Sequence, residues 1–148
     1  MIEILSPDDI EELLEKSFVG RIGVHGDGRT YVVPIAYTYA HGCVYGHSTE
    51  GLKIRMMRKN PTVCFETDSV QDPFNWRSVI TWGTFEELHG EAAEEAMRSL
   101  LLRFLPAKVQ AAAERTIILG RPGLDDRRAV VYRIRLVEKT GRFEATQR

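Results

Sequence analysis

Between Gly42 and Pro61 the sequence GCVYGHSTEGLKIRMMRKNP places an imidazole, two hydroxyls and four cations close together. Those groups suit the capture of a doubly charged anion. Cys43, Val44 and Tyr45 read as a strand. Ser48 or Thr49 can then cap a helix whose first backbone N–H groups lack partners and attract phosphate. Lys53, Arg55, Arg58 and Lys59 add a fixed positive field beside those amides. Ser48, Thr49 and Lys53 are the strongest site candidates, against the plainer reading of a capped surface helix with a solvated basic face. His47, at the strand end, either donates to a phosphate or ring carbonyl or is an ordinary strand-end residue.

A second cluster lies on a later strand. Trp76, Arg77, Ser78 and Trp82 offer two indoles to stack on a flat heterocycle, with Arg and Ser for its polar edges or a phosphate; the indoles could instead be core. There is no GxSxG, no HExxH and no Cys and His pairing that spacing alone can join. His25 and His41 fall in expected turns, and no metal site is expected. Cys43 and Cys64 lie in apolar runs without CxxC spacing, so reduced buried thiols are expected.

The elements that must hold these residues follow from pattern. Ser6-Pro7-Asp8-Asp9 starts a helix with an Ile10, Leu13, Leu14 stripe. Phe18 to Val24 and Tyr31 to Tyr39 form a hairpin about His25-Gly26-Asp27-Gly28, with Tyr31, Val33, Ile35, Tyr37 and Tyr39 on one face. Pro34 cannot donate to a ladder, so pairing opens there, at a ligand gap or at a simple edge. Cys43 to His47 makes a third strand of a meander, Asn60-Pro61 ends the basic helix, and Thr62 to Thr67 is a strand. Asp68 to Asn75 reads as a loop and Trp76 to Leu88 as a strand with neither face uniformly apolar, suited to lining a pocket. A helix from Glu91 to Leu105, a short one from Pro106 to Glu114, a loop at Gly120 to Gly123 and a closing strand from Ala129 to Val137 complete the chain. The fold class expected is mainly β with inserted helices: a six-stranded, mostly antiparallel barrel.

The chain has 148 residues, 43% hydrophobic and 28% charged, which suits one domain spanning 1–148. A net charge of −1 argues against a nucleic-acid binder. No signal peptide or bilayer-length apolar run is evident, so the expectation is a cytoplasmic protein without a membrane partner.

GRIGV at 20–24, Val-Val-Pro-Ile at 32–35, Gly-His-Ser at 46–48 followed by Lys53, Asn60-Pro61 before a strand, and Trp76-Arg77-Ser78-Val79 with Gly83 resemble the pyridoxamine 5′-phosphate oxidase-like superfamily, and within it the nitroimidazole-resistance-type flavin proteins. The resemblance covers about residues 8–90 and the last strand. It implies an FMN-binding split β-barrel of Greek-key type and a homodimer with the cofactor at the subunit interface. The FMN phosphate would lie near Ser48 and Lys53, the isoalloxazine beside the backbone of Val33, Pro34 and Ile35, and Arg77 with Ser78 would also touch the cofactor. Trp76 or Trp82 would close the pocket from the neighbouring chain. The implied activity is an FMN-dependent oxidoreductase passing electrons from a reduced nicotinamide or similar donor to a small acceptor, a nitroaromatic among the candidates. Alternatives are a deazaflavin or haem in the same fold, or a non-catalytic flavin carrier. The tail EKTGRFEATQR lacks the Arg and His pattern of true pyridoxamine-phosphate oxidases, which argues against oxidation of a vitamin B6 phosphate.

Overall fold

A computed structural model describes residues 1–106 and 129–146. The elements in order are β1 (Glu3–Ile4), α1 (Pro7–Lys16), β2 (Val19–Gly26), β3 (Arg29–Ala36), β4 (Thr38–Ala40), β5 (Cys43–Thr49), α2 (Leu52–Lys59), β6 (Thr62–Asp72), β7 (Asn75–Glu87), α3 (Gly90–Phe104) and β8 (Ala129–Glu144). The strands make one antiparallel sheet in the order β3-β2-β6-β7-β8-β5-β4, with β1 added to β8. Eight strands stand where six were expected. The short β1 is new, and the expected Tyr31 to Tyr39 strand is divided into β3 and β4 at Tyr37.

That division shapes the molecule. The two strands at the ends of the sheet order are consecutive in the chain, joined through Tyr37 alone, so the sheet must curl round until its ends meet. The curl brings the inward faces of the strands together as one core, including Ile22, Val24, Tyr37, Val44, Phe65, Val79, Tyr132 and Ile134. On β7, Val79, Thr81, Gly83 and Phe85 are buried, so this face fills the core and does not line a pocket as expected. Its polar member is satisfied, since Thr81 Oγ1 donates to the Phe65 carbonyl at 2.9 Å. Trp76 is half-buried and Trp82 is exposed, so neither indole is core.

The hairpin between β2 and β3 turns on Asp27 (φ 52°) and Gly28 (φ 73°), two consecutive left-handed residues as a tight two-residue turn requires. Asp68 to Asn75 is not a loop. β6 continues to Asp72, and Asp72 accepts from the Phe74 N–H at 2.7 Å to close a turn into β7. The result is a hairpin arm longer than β2, its neighbour in the sheet. β8 likewise runs seven residues past the expected Val137, to Glu144. The helix expected from Pro106 to Glu114, past Pro106 itself, and the loop at Gly120 to Gly123 lie outside the described residues.

α1 starts as its sequence directs, with Ser6 Oγ accepting from the Asp9 N–H at 3.2 Å and Pro7 in the first turn. It is pinned to the barrel by Glu11, which accepts from Lys139 and from the Tyr39 hydroxyl. Burial pushes the Glu11 carboxyl up, but the Lys139 and Tyr39 hydrogen bonds and the Lys139 charge outweigh it and hold the group below the usual carboxylate range. A carboxyl that titrates lower folded than unfolded adds stability above its unfolded value and loses it as pH falls through the folded one. Melting temperatures of wild type and Glu11→Gln should therefore differ at neutral pH and converge in acid, below the ordinary value of about 4. A constant difference across that range would contradict the pairing.

One inward polar atom is left over. The Tyr132 hydroxyl is buried with no hydrogen-bond partner among the described residues. Its ring tip lies on Gly46, directly across the β5–β8 ladder, where a Cβ would sit 2.6 Å from the oxygen. A buried hydroxyl without a partner costs about 1–3 kcal/mol. Tyr132→Phe should therefore raise unfolding stability by about 1 kcal/mol. A loss of stability in denaturant melts would show that the hydroxyl is bonded.

Candidate functional site

The ladder registers define an opening in the barrel wall. β4 pairs with β5 only from Ala40↔Cys43 to Thr38↔Tyr45, whereas β5 continues along β8 to Thr49. From Gly46 to Thr49, β5 has no strand on its β4 side among the described residues. Among the described residues β3 pairs with β2 alone, so its other edge is open too. Because β3 and β4 are one chain through Tyr37, the two open edges start together and diverge, leaving a seam. Pro34 stands on that edge opposite Arg21 of β2, so the plain edge-strand reading of this proline holds. Lacking an N–H, it cannot help β3 re-pair with β5, which keeps the seam open.

Val33, Pro34 and Ile35 therefore lie on one lip of the seam, and His47, Ser48 and Thr49 on the other. Ile35 is buried and Val33 packs against the core, so their backbones, and not their side chains, face the seam. His47 is exposed. Ser48 Oγ donates to the Thr49 carbonyl at 2.9 Å.

Neither Ser48 nor Thr49 caps α2, contrary to expectation. β5 carries both residues as strand, and Gly51 takes the cap position with no side-chain hydrogen bond. The first turn of α2 also lacks an acidic residue, in contrast to α1 with Asp8 and Asp9. Its first amides thus meet no anionic side chain of their own helix.

The cations of α2 separate by partner. Arg58 pairs with Glu50 at 2.8 Å and with Glu87, and Lys59 approaches Asp27 at 3.4 Å. Lys53, in the first turn, is half-buried and has no carboxylate partner among the described residues. Burial alone lowers its pKa. A partly desolvated ammonium in the first turn of a helix without a side-chain cap is of a kind that attracts anions.

The second cluster is elsewhere. His47 lies opposite Val131 and Arg77 opposite Phe143, 12 residues apart on β8, or about 40 Å of strand. Trp76 and Arg77 lie near the tip of the β6–β7 arm, beside its turn. Ser78 and Trp82 share the outward sheet face with Pro34, because Pro34, Arg21, Glu66 and Ile80 form one cross-strand row flanked by Ser78 and Trp82. A concavity of 570 Å³ opens between α1, the start of β2 and the arm, and includes Arg21, Asp68 and Arg77. None of its lining residues belongs to β3, β5 or α2. Its guanidiniums already meet acids, Arg21 with Glu66 and Asp68 at 3.4 Å each and Arg77 with Glu12 at 3.9 Å. Lys53, by contrast, has no such acid partner among the described residues.

Residues 6–143 match the family model described as pyridoxamine 5′-phosphate oxidase. The chain belongs to this family. Its open barrel, with the two ends of the sheet meeting at Tyr37, is the family's split barrel. An FAD-binding protein from Mesorhizobium loti is 30% identical, covering 98% of this chain and 99% of its own, with a TM-score of 0.72. A candidate 5-nitroimidazole antibiotic resistance protein from Bacteroides thetaiotaomicron VPI-5482 superposes with a TM-score of 0.70 at 19% identity, covering 99% and 92% of the two chains. At that identity the likeness is one of fold. An uncharacterized protein of Rhizobium meliloti (strain 1021) is 28% identical over 87 residues, and the chain spans 58% of the length of this curated relative. No described helix of this family member is long and apolar enough to cross a membrane.

Proposed function

We propose that the chain binds FMN at the seam and serves as a flavin-dependent oxidoreductase. The observation that carries this reading is Lys53, a half-buried cation without a carboxylate partner among the described residues, at the start of a helix that follows β5 directly. Lys53 and the first amides of α2 would hold the phosphate. The open backbone edges of β3 and β5 would hydrogen-bond the polar rim of the ring, and Pro34 would keep them from pairing with each other. Bound flavin supplies hydride acceptance from a reduced nicotinamide or similar donor and electron delivery to a small acceptor such as a nitroaromatic. The chain supplies binding, orientation and exclusion of water.

A homodimer completes the site. Trp76 and Arg77 lie far along β8 from the His47 lip, and in the dimer a second copy would bring them to the ligand. The outward face that carries Pro34, Ser78 and Trp82 also exposes Val32 (63%), Ile80 (41%) and Trp82 (40%), an apolar surface suited to a subunit contact. The FAD-binding relative from Mesorhizobium loti favours a second reading in which the flavin is FAD, held by the same ring and phosphate contacts.

Absorption spectroscopy tests the proposal. Purified protein, alone or after addition of FMN or FAD, should retain a flavin spectrum through gel filtration at the mass of a dimer, bleach with a reduced nicotinamide and recover in air. Retention without reduction by any donor would make it a carrier. Failure to retain either flavin would overturn the reading.

A further inference from the structure

The apex of the seam is held by a side chain from α3. Tyr37, where β3 and β4 part, donates its N–H to the Phe18 carbonyl at 3.0 Å and its hydroxyl to the Leu14 carbonyl at 2.7 Å. Its ring stands edge-on to Phe65, with centroids 4.9 Å apart. Both acceptors belong to the last turn of α1 and the residues just after it, where a helix leaves carbonyls without partners. Arg103 answers the others: its Nη2 donates to Glu15 O at 2.9 Å, Lys16 O at 3.3 Å and Ser17 O at 2.7 Å. The same guanidinium lies over the Tyr37 ring, 5.8 Å from its centroid. A cation at a helix C-terminus is favoured by the aligned peptide dipoles, and a planar guanidinium shared among several carbonyls fixes their direction as a lysine cannot.

We infer that Arg103 is a positioning residue for the flavin site, setting the angle at which β3 leaves β4 by clamping the α1 terminus that holds Tyr37. Movement of the α1 terminus carries Leu14 and Phe18 with it, and through them the Tyr37 hydroxyl and amide. The lips of the seam, Val33 to Ile35 and Gly46 to Thr49, diverge from that point, so a loosened apex changes the spacing between the backbone groups offered to a ligand. Arg103 itself belongs to neither lip. The inference rests on the seam being the flavin site.

Titration of FMN into wild type, Arg103→Ala and Arg103→Lys, at a temperature well below the melting point of each, separates the possibilities. Arg103→Ala is expected to bind FMN about ten times more weakly and to give a bound-flavin absorption band with altered fine structure; millimolar guanidinium ion should restore both. Arg103→Lys should keep the charge and recover only part of the affinity. A folded Arg103→Ala with a lowered melting point but unchanged affinity and spectrum would make Arg103 purely structural and overturn the inference. If Arg103→Ala does not fold, amide hydrogen exchange of the wild type decides. FMN should slow exchange at Tyr37 and Ser17, and unchanged exchange there with FMN bound would overturn it. A wild type that binds no FMN would instead defeat the assignment of the seam, a result distinguishable from the others.

Discussion

Replacing Lys53 with alanine is expected to weaken FMN binding by about 1.5–3 kcal/mol, roughly ten- to 150-fold, because a hydrogen bond to a charged group is worth about that much. The direction follows from where the cation sits. Lys53 is partly desolvated, burial lowers its pKa, and no carboxylate among the described residues pairs with it. An arriving dianion relieves that cost and should raise the Lys53 pKa. The loss in Lys53→Ala should be accompanied by weaker salt dependence of binding, since one ionic contact is gone. Arg58→Ala provides the contrast. Its guanidinium is engaged by Glu50 and Glu87, so its removal should leave FMN affinity within about twofold, the range expected when an exposed ion pair is lost. Isothermal titration of the three proteins reads both effects. Equal losses in the two variants would mean that only the general positive field matters.

Gly46→Ala is expected to be a damaging small substitution near the site, costing about 2–3 kcal/mol of stability, the upper range for forcing extra atoms into a packed core. A Cβ there would stand 2.6 Å from the Tyr132 hydroxyl oxygen and 2.7 Å from Cζ of the same ring. Tyr132 is fully buried and its ring lies 5.6 Å from that of Phe85, so it has little room to retreat. Because ring carbon as well as oxygen blocks the position, Tyr132→Phe should not rescue Gly46→Ala, whereas Tyr132→Leu, which empties the space over Gly46, should recover part of the loss. The double-mutant cycle should therefore show coupling for the leucine pair. Additive losses there would mean that the strand yields at Gly46 and not the ring.

Much of this was legible in the residues themselves, for reasons that differ by element. The alternation of Tyr31, Val33, Ile35, Tyr37 and Tyr39 survives intact as an inward row even though the strand divides at Tyr37, because the side-chain period is set by backbone geometry whichever partner a strand has. Ser6 with Pro7 marks α1 because cap and first-turn preferences are local. Asp68 to Asn75 misleads for a physical reason. The arm reaches beyond β2, both of its faces meet water, and the apolar alternation that identifies a half-buried strand is missing. The last seven residues of β8 include Lys139, Arg142 and Glu144 and conceal their strand for a similar reason. Ser48 and Thr49 were sound cap types, but the ladder with β8 holds them extended to Thr49, a tertiary demand that a local reading cannot see.

For the site, the residue types near Lys53 were legible, while the separation of the two clusters was not. Only the register places Arg77 about 40 Å along β8 from His47. The seam was equally hidden, because it arises where two pairings stop and not from any residue that announces it. Pro34 alone hinted at it. Arg103 gave no signal in sequence, since a side chain that caps another helix from a distance has no periodic signature.

The most direct test of the account is the ratio of FMN to riboflavin affinity, measured by equilibrium dialysis on one preparation of the wild-type protein. The two ligands share the ring and differ in the phosphate. If Lys53 and the open start of α2 grip that phosphate, FMN should bind at least ten times more tightly, and the advantage should shrink to near unity in Lys53→Ala. Equal affinity for FMN and riboflavin in the wild type would contradict the account.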